Sequence, residues 1–231
     1  MQEQKSLTQL SLFAPDESPK PKESRARDQA ADPVFAAFRV KDNPFAQVTT
    51  LDELKQLMQG CSRCSLYQHR TNIVFGEGDP EARVMLVGEG PGAYEDETGR
   101  PFVGAAGQLL DRILAAADFR REEVFIGNVV KCRPPGNRLP EPAEAATCLP
   151  YLLTQIRIIR PKIIVCLGAL STQILVDSKA RITAVRGAWY EKAGIKIMPT
   201  FHPAALLRDV SKKKSVWEDF QRIRAEYDLG W

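Results

Sequence analysis

Three polar residues in this 231-residue chain stand where apolar runs give out: Glu89 beyond ARVMLV, Asn128 within VFIGNVV and His202 beyond IKIMPTF. They supply a carboxylate, an amide that both donates and accepts, and an imidazole that changes charge near neutrality. The first belongs to a chemically dense stretch, GEGPGAYEDETGRPFVGAAGQ, from Gly88 to Gln108. Its Gly88, Gly90 and Gly92 allow a tight bend and a close backbone approach to a ligand. Glu89, Glu95, Asp96 and Glu97 place carboxylates in that bend, and Phe102 offers a flat apolar face. The stretch is no phosphate cradle, because it lacks the Lys-Ser/Thr ending and its acids would repel phosphate.

A second constellation is made of thiols. Cys61 and Cys64 form a CxxC, and Cys132 and Cys148 follow beside a turn and a helix. Four such soft ligands suit zinc or an iron-sulfur cluster, and spacing leaves both open. Cys166 sits inside the apolar run IIVCLG and reads as a core residue. His69 reads as a neighbour of the first cysteine pair rather than a ligand.

Elements must then be found to position these groups. TTLDELKQLMQG predicts a capped helix with Leu51, Leu54, Leu57 and Met58 on one face and Gly60 as its stop. Strands are predicted at Val84 to Val87, VFIGNVV, KIIVCLGA and IKIMPTFHP, alternating with helices at GQLLDRILAAA, from about Glu141 to before Pro161, near LSTQILV and at SVWEDFQRIRAEY. That alternation predicts an α/β fold, a three-layer α/β/α sandwich around a four-stranded, mostly parallel sheet. Ligands of such sheets bind at the carboxyl ends of the strands, where Glu89, Asn128 and His202 fall.

Residues 46–231 are expected to form one domain, with 1–45 as a disordered tail holding five of the sixteen prolines. The tail has seven basic and seven acidic residues, so the net charge of +3 lies in the domain and is too small to imply nucleic acid. No apolar run approaches the ~20 residues that span a bilayer, and MQEQKS lacks the order of a signal peptide. A cytoplasmic protein without membrane contact is expected, its cysteines serving a metal rather than disulfides. Within the tail, Gln9-Leu10-Ser11-Leu12-Phe13 resembles the short peptide by which bacterial DNA enzymes hold the replication sliding clamp. In that resemblance Gln9 bonds at a groove edge while Leu10, Leu12 and Phe13 supply the apolar plug.

GEGPGAYEDETGRPFVGAAGQLLD, FIGNVVKCRPPGNR and FHPAALLR, interleaved with the four cysteines, together resemble the family 4 uracil-DNA glycosylases, thermostable-type enzymes with a 4Fe-4S cluster. The likeness covers roughly residues 50 to 225. It implies cluster ligation by Cys61, Cys64, Cys132 and Cys148, stacking of a flipped uracil on Phe102 and its recognition by Asn128. It further implies a donor at uracil O2 from His202, and from Glu89 a carboxylate that positions water and stabilises the cationic sugar. Gly90 would line the base, and Glu95 would crowd the uracil 5-carbon against thymine's methyl. Leu206 or Leu207 would wedge into the vacated stack, with Arg208 on a phosphate and Lys212 to Lys214 near the backbone. Tyr94 departs from the acid expected at its position. PPGNRLPEPAEAAT lacks the histidine with which a related group traps the sugar. The implied activity is monofunctional hydrolysis of the glycosidic bond in single- or double-stranded uracil DNA by a monomer, since no motif lysine could form a Schiff base. The competing reading is a non-catalytic iron-sulfur DNA-binding accessory protein of replication or repair. A zinc-stabilised structural module is the third.

Overall fold

The computed structural model describes residues 32–38 and 42–230, so the Gln9–Phe13 peptide lies outside the described residues. Four strands, β2 (Val84–Gly88), β3 (Phe125–Asn128), β4 (Ile163–Leu167) and β6 (Ile195–Thr200), run parallel in the order β3-β2-β4-β6. Their carboxyl ends line up, with Gly88 opposite Asn128 and Leu167 opposite Thr200. Two edge strands were not anticipated: β1 (Glu77–Gly78) pairs antiparallel with β3, and β5 (Tyr190–Lys192) with β6. Segments this short carry no periodicity to read, so the sheet has six strands where four were expected.

The strand period of two sends residues to two cores. Val84 and Leu86 of β2 join Leu110, Leu114, Phe220 and Ile223, from α4 (Ala105–Ala116) and α9 (Lys212–Asp228). Met85 and Val87 join the other side, built by α1 (Pro33–Ala37), α2 (Leu51–Met58), α5 (Pro142–Ile159) and α6 (Ala169–Leu175). Helix, sheet and helix therefore stack as three layers, with both sheet faces dry as a parallel sheet requires.

Four local expectations are corrected. The packed domain begins before residue 46, because Val34 and Phe35 of α1 are buried and the Phe45 ring stacks on Tyr151 of α5 at 4.2 Å. Leu57 points to solvent, while Leu54 and Met58 carry the buried face of α2. The glycine-rich stretch contains a helix of its own, α3 (Ala93–Thr98), before α4. Two further short helices follow, α7 (Ile182–Val185) and α8 (Pro203–Arg208). The three lysines Lys212 to Lys214 form the first turn of α9 rather than a loop before it.

One buried ion pair holds the β6 end in place. Asp219 of α9 is sealed from solvent, pairs with Arg186, and accepts a 2.6 Å hydrogen bond from the Thr200 hydroxyl, two residues before His202. Removing one partner of such a pair strands the other charge. Asp219→Ala is expected to cost about 3–5 kcal/mol in denaturant unfolding, against under 1 kcal/mol for an exposed pair such as Arg120 with Glu122.

Candidate active site

The four parallel strands end on a cleft of about 720 Å³, and Glu89, Asn128 and His202 all line it. The chain leaves β2 and β3 toward one side and reaches β4 and β6 on the other, so the cleft lies where the strand order reverses. Gly88 has no side chain for a steric reason: a Cβ there would stand 2.4 Å from Asn128 Oδ1 and 2.6 Å from Phe102 Cζ. Amide and ring thus meet over a bare stretch of backbone. Gly90 also lines the cleft, where a Cβ would collide with Val130 Cγ2 at 2.7 Å.

Asn128 is only 1% exposed, and its buried Oδ1 has no hydrogen-bond partner among the described residues. A buried acceptor left unmet costs about 1–3 kcal/mol, so the cleft floor carries an unfilled demand for a donor. Phe102 is only 5% exposed but lines the same cleft, its ring centroid 5.5 Å from that of His202. Its backbone adopts φ +52°, a conformation costly for an aromatic residue.

Two side chains impose that conformation. Glu95 Oε1 accepts from the Val103 and Gly104 N–H groups, both at 2.9 Å, while its Oε2 accepts from the Gly92 N–H at 3.1 Å. Arg121 donates to the carbonyls of Pro101 at 2.6 Å and Phe102 at 3.2 Å, and pairs with Glu77 and Asp111. Glu95 lines the cleft, but its charge is spent on the backbone that presents Phe102. Arg121 escaped sequence reasoning, and RREE carries no signal that could have found it.

His202 caps α8, and its Nδ1 accepts from the Ala204 N–H at 3.1 Å. An imidazole nitrogen that accepts carries no proton, so the neutral ring holds its hydrogen on Nε2. Burial, reinforced by Arg208, lowers the His202 pKa from 6.5 to about 4. The group is therefore a neutral hydrogen-bond donor at physiological pH. The Glu89 carboxylate makes no hydrogen bond or ion pair among the described residues, and burial raises its pKa. A carboxylate, an unmet acceptor, a neutral donor and an aromatic plate thus share one cleft.

Of the two leucines proposed as a wedge, Leu206 is 1% exposed and packs in the core, which removes it as a DNA contact. Leu207 is 49% exposed. The helical turn of α8 decides between them, because neighbours on a helix point about 100° apart. Arg208 lines the cleft and forms no ion pair among the described residues. Tyr94 is exposed on α3, its ring against Gly104.

Cys61, Cys64, Cys132 and Cys148 surround a separate pocket under α2 and α5. Among the described residues, no three or more cysteine, histidine or carboxylate groups are arranged to hold a single metal ion. Arg70 donates to Cys132 Sγ at 3.3 Å and to the Cys61 carbonyl at 2.6 Å. Lys131 also lines this pocket, wholly buried, with Nζ donating to Gln155 Oε1 at 2.6 Å. Burial pushes the Cys148 thiol up to about 12 and lowers Lys131 to about 8, each partly offset by the other. Cys166 is buried in β4, away from this set, as expected of a core thiol.

A doubly covered parallel sheet with polar side chains converging at its strand tips defines an α/β protein whose ligand site lies in this cleft. The family model of the uracil DNA glycosylase superfamily matches residues 75–221. The chain belongs to that superfamily. It is similar to the Type-4 uracil-DNA glycosylase of Thermotoga maritima, 48% identical over 186 residues, which are 76% of this chain and 96% of the relative. The Type-4 enzyme of Sulfurisphaera tokodaii is 48% identical over 76% of this chain and 84% of its own. That of Pyrobaculum aerophilum is 46% identical over 77% and 92%.

Proposed function

We propose that this protein is a monofunctional uracil-DNA glycosylase that flips uracil out of DNA and hydrolyses its N-glycosidic bond, leaving an abasic site for base excision repair. The single observation that carries this reading is the buried, partnerless Oδ1 of Asn128 in a cleft that also holds His202 and Glu89. Uracil offers the donor that Oδ1 lacks at N3–H, while its O4 accepts from the same amide's NH₂. Cytosine reverses that pattern at both positions.

A base within a stack cannot reach the cleft, so extrusion costs a few kcal/mol, offset by stacking on Phe102 and by the amide pairing. As the bond from N1 to C1′ breaks, electrons pass to the leaving uracil and its O2 gains negative charge. The neutral His202 ring, with its proton on Nε2, would donate a hydrogen bond to that oxygen and stabilise the charge. The Glu89 carboxylate, unpaired among the described residues, stabilises the positive sugar and orients the water whose oxygen ends on C1′, its proton going to the departing uracil anion. No lysine among the described residues lines the cleft, and the buried Lys131 belongs to the cysteine pocket, which supports hydrolysis without a lyase step. Incubation with uracil-containing and matched thymine-containing strands, followed by alkali, is expected to cleave only the former. Intact uracil strands would remove the proposal.

Cys61, Cys64, Cys132 and Cys148 would hold a 4Fe-4S cluster. The donor set fits: four thiols ring one pocket, and Arg70 and Lys131 offset the negative charge that thiolate ligation creates. When bound, such a group supplies a cross-link between α2, the strand β3 exit and α5. Cys132→Ala is expected to lose the yellow-brown colour and to lower the thermal midpoint; a colourless wild-type protein containing zinc would replace the cluster with an ion.

We further infer a monomer working in the cytoplasm, where its five free thiols stay reduced; no described helix is long and apolar enough to cross a membrane. The Gln9–Phe13 peptide would tether it to a replication sliding clamp. Replacing Leu12 and Phe13 with alanine should abolish clamp pull-down if so.

A further inference from the structure

The extruded nucleotide of the proposed reaction enters the cleft of about 720 Å³, and the strand that carries it must leave over the rim. One rim is α8, where Arg208 lines the cleft and Leu207, its neighbour on the helix, is exposed. The other is the segment after β3, residues 134–139, at the opposite end of the row of parallel strands. At its tip Leu139 lines the cleft and is 69% exposed.

A single exposed leucine ordinarily needs no explanation. This one is held by a set of constraints that leaves little freedom. Gly136 and Asn137 both take left-handed backbone, at φ 62° and 56°. Arg133 Nε donates to Asn137 Oδ1 at 2.8 Å. Arg138 donates to the Leu139 carbonyl at 3.0 Å and grips Glu144 of α5 through both guanidinium arms, at 2.8 and 2.7 Å. Glu144 is itself buried and accepts from the Ser65 hydroxyl at 2.7 Å and the Glu141 N–H at 2.7 Å. An apolar side chain on so fixed a mount loses little entropy when something packs on it.

We propose that Leu139 is a second apolar contact to DNA. It packs against the face of the base flanking the extruded nucleotide on the uracil-bearing strand, at the rim opposite Leu207. The occupant follows from the cleft: a strand whose one nucleotide is inside presents bared base faces at both exits, and Arg208 offers its phosphates an unpaired cation.

This inference rests on the uracil-release reading, and the test separates the two. Affinity is read by fluorescence anisotropy on single-stranded and duplex oligonucleotides bearing a non-cleavable abasic analogue, and uracil release is assayed alongside. Leu139→Ala should weaken binding about five- to twentyfold on both substrates, the scale of one buried aliphatic contact. Leu139→Met should restore binding to within about twofold, since it refills apolar contact. The dependence of affinity on salt should not change, because no phosphate contact is lost, whereas Arg208→Ala should reduce that slope by about 1. The thermal midpoint should stay put, as expected for an exposed side chain. Unchanged affinity, or weakening confined to the duplex, overturns the assignment. A wild-type protein that binds the abasic analogue but releases no uracil overturns the activity and leaves this contact standing.

Discussion

Asn128→Ala is expected to lower uracil release by about 10²–10³-fold while leaving the protein as stable as before, or more stable by about 1 kcal/mol. The two effects share one cause. In the free protein the Asn128 oxygen is buried without a donor, so deleting the amide removes an unmet cost. In the complex the same amide meets N3–H and O4 of uracil, so its deletion removes both the pairing and the discrimination against cytosine. Chemical denaturation and single-turnover kinetics on the same sample check the pair. A loss of more than 2 kcal/mol in stability would mean that the amide is structural and that its partnerless oxygen has another explanation.

His202→Ala is expected to cost a similar 10²–10³-fold in kcat, with little change in KM, because the donor acts on charge that develops only as the bond breaks. The pH dependence separates it from Glu89. His202 is neutral at any pH well above 4, so it contributes no titration to the rate near neutrality. Glu89 acts as a carboxylate and its pKa is raised by burial, so the rate should fall on the acid side as that group protonates. His202→Ala should keep that acid limb, and Glu89→Gln should lose it.

Stability gives an independent readout of the same histidine. The unfolded chain protonates it near 6.5, whereas the folded protein resists until about 4. Between those values the unfolded state binds more protons, so stability is lost as pH falls through this window, by roughly 3 kcal/mol in full. His202→Ala should flatten that part of the curve; an unchanged slope would show that the ring is not held neutral.

Much of the site was legible because its signals are local. The apolar runs of β2, β3, β4 and β6 announce buried parallel strands, and at the ends of β2, β3 and β6 a polar residue marks the strand tip. The four cysteines needed only their residue type to be grouped, and they surround one pocket. What escaped depended on contacts between distant segments. Helix α1 is packed only because α5 offers it an apolar surface, and β1 and β5 are strands only because β3 and β6 have open edges. Leu206 and Leu207 are chemically alike, and only the rotation of α8 against the core buries the first. Glu95, read as a group facing the base, is captured by backbone amides eight and nine residues further on.

By itself the amino-acid order determined which chemistry this chain can attempt: a carboxylate, an amide, an imidazole and four thiols, each attached to an element whose type follows from side-chain periodicity within a few turns or strand repeats. Only the tertiary structure decided what those groups are free to do. It left the Asn128 oxygen without a partner, spent the Glu95 charge on the mount of Phe102, and took the proton from His202 Nδ1 by offering it a backbone donor. Availability of a lone pair or a proton is set by whatever packs around it, and no periodic pattern along a chain encodes that.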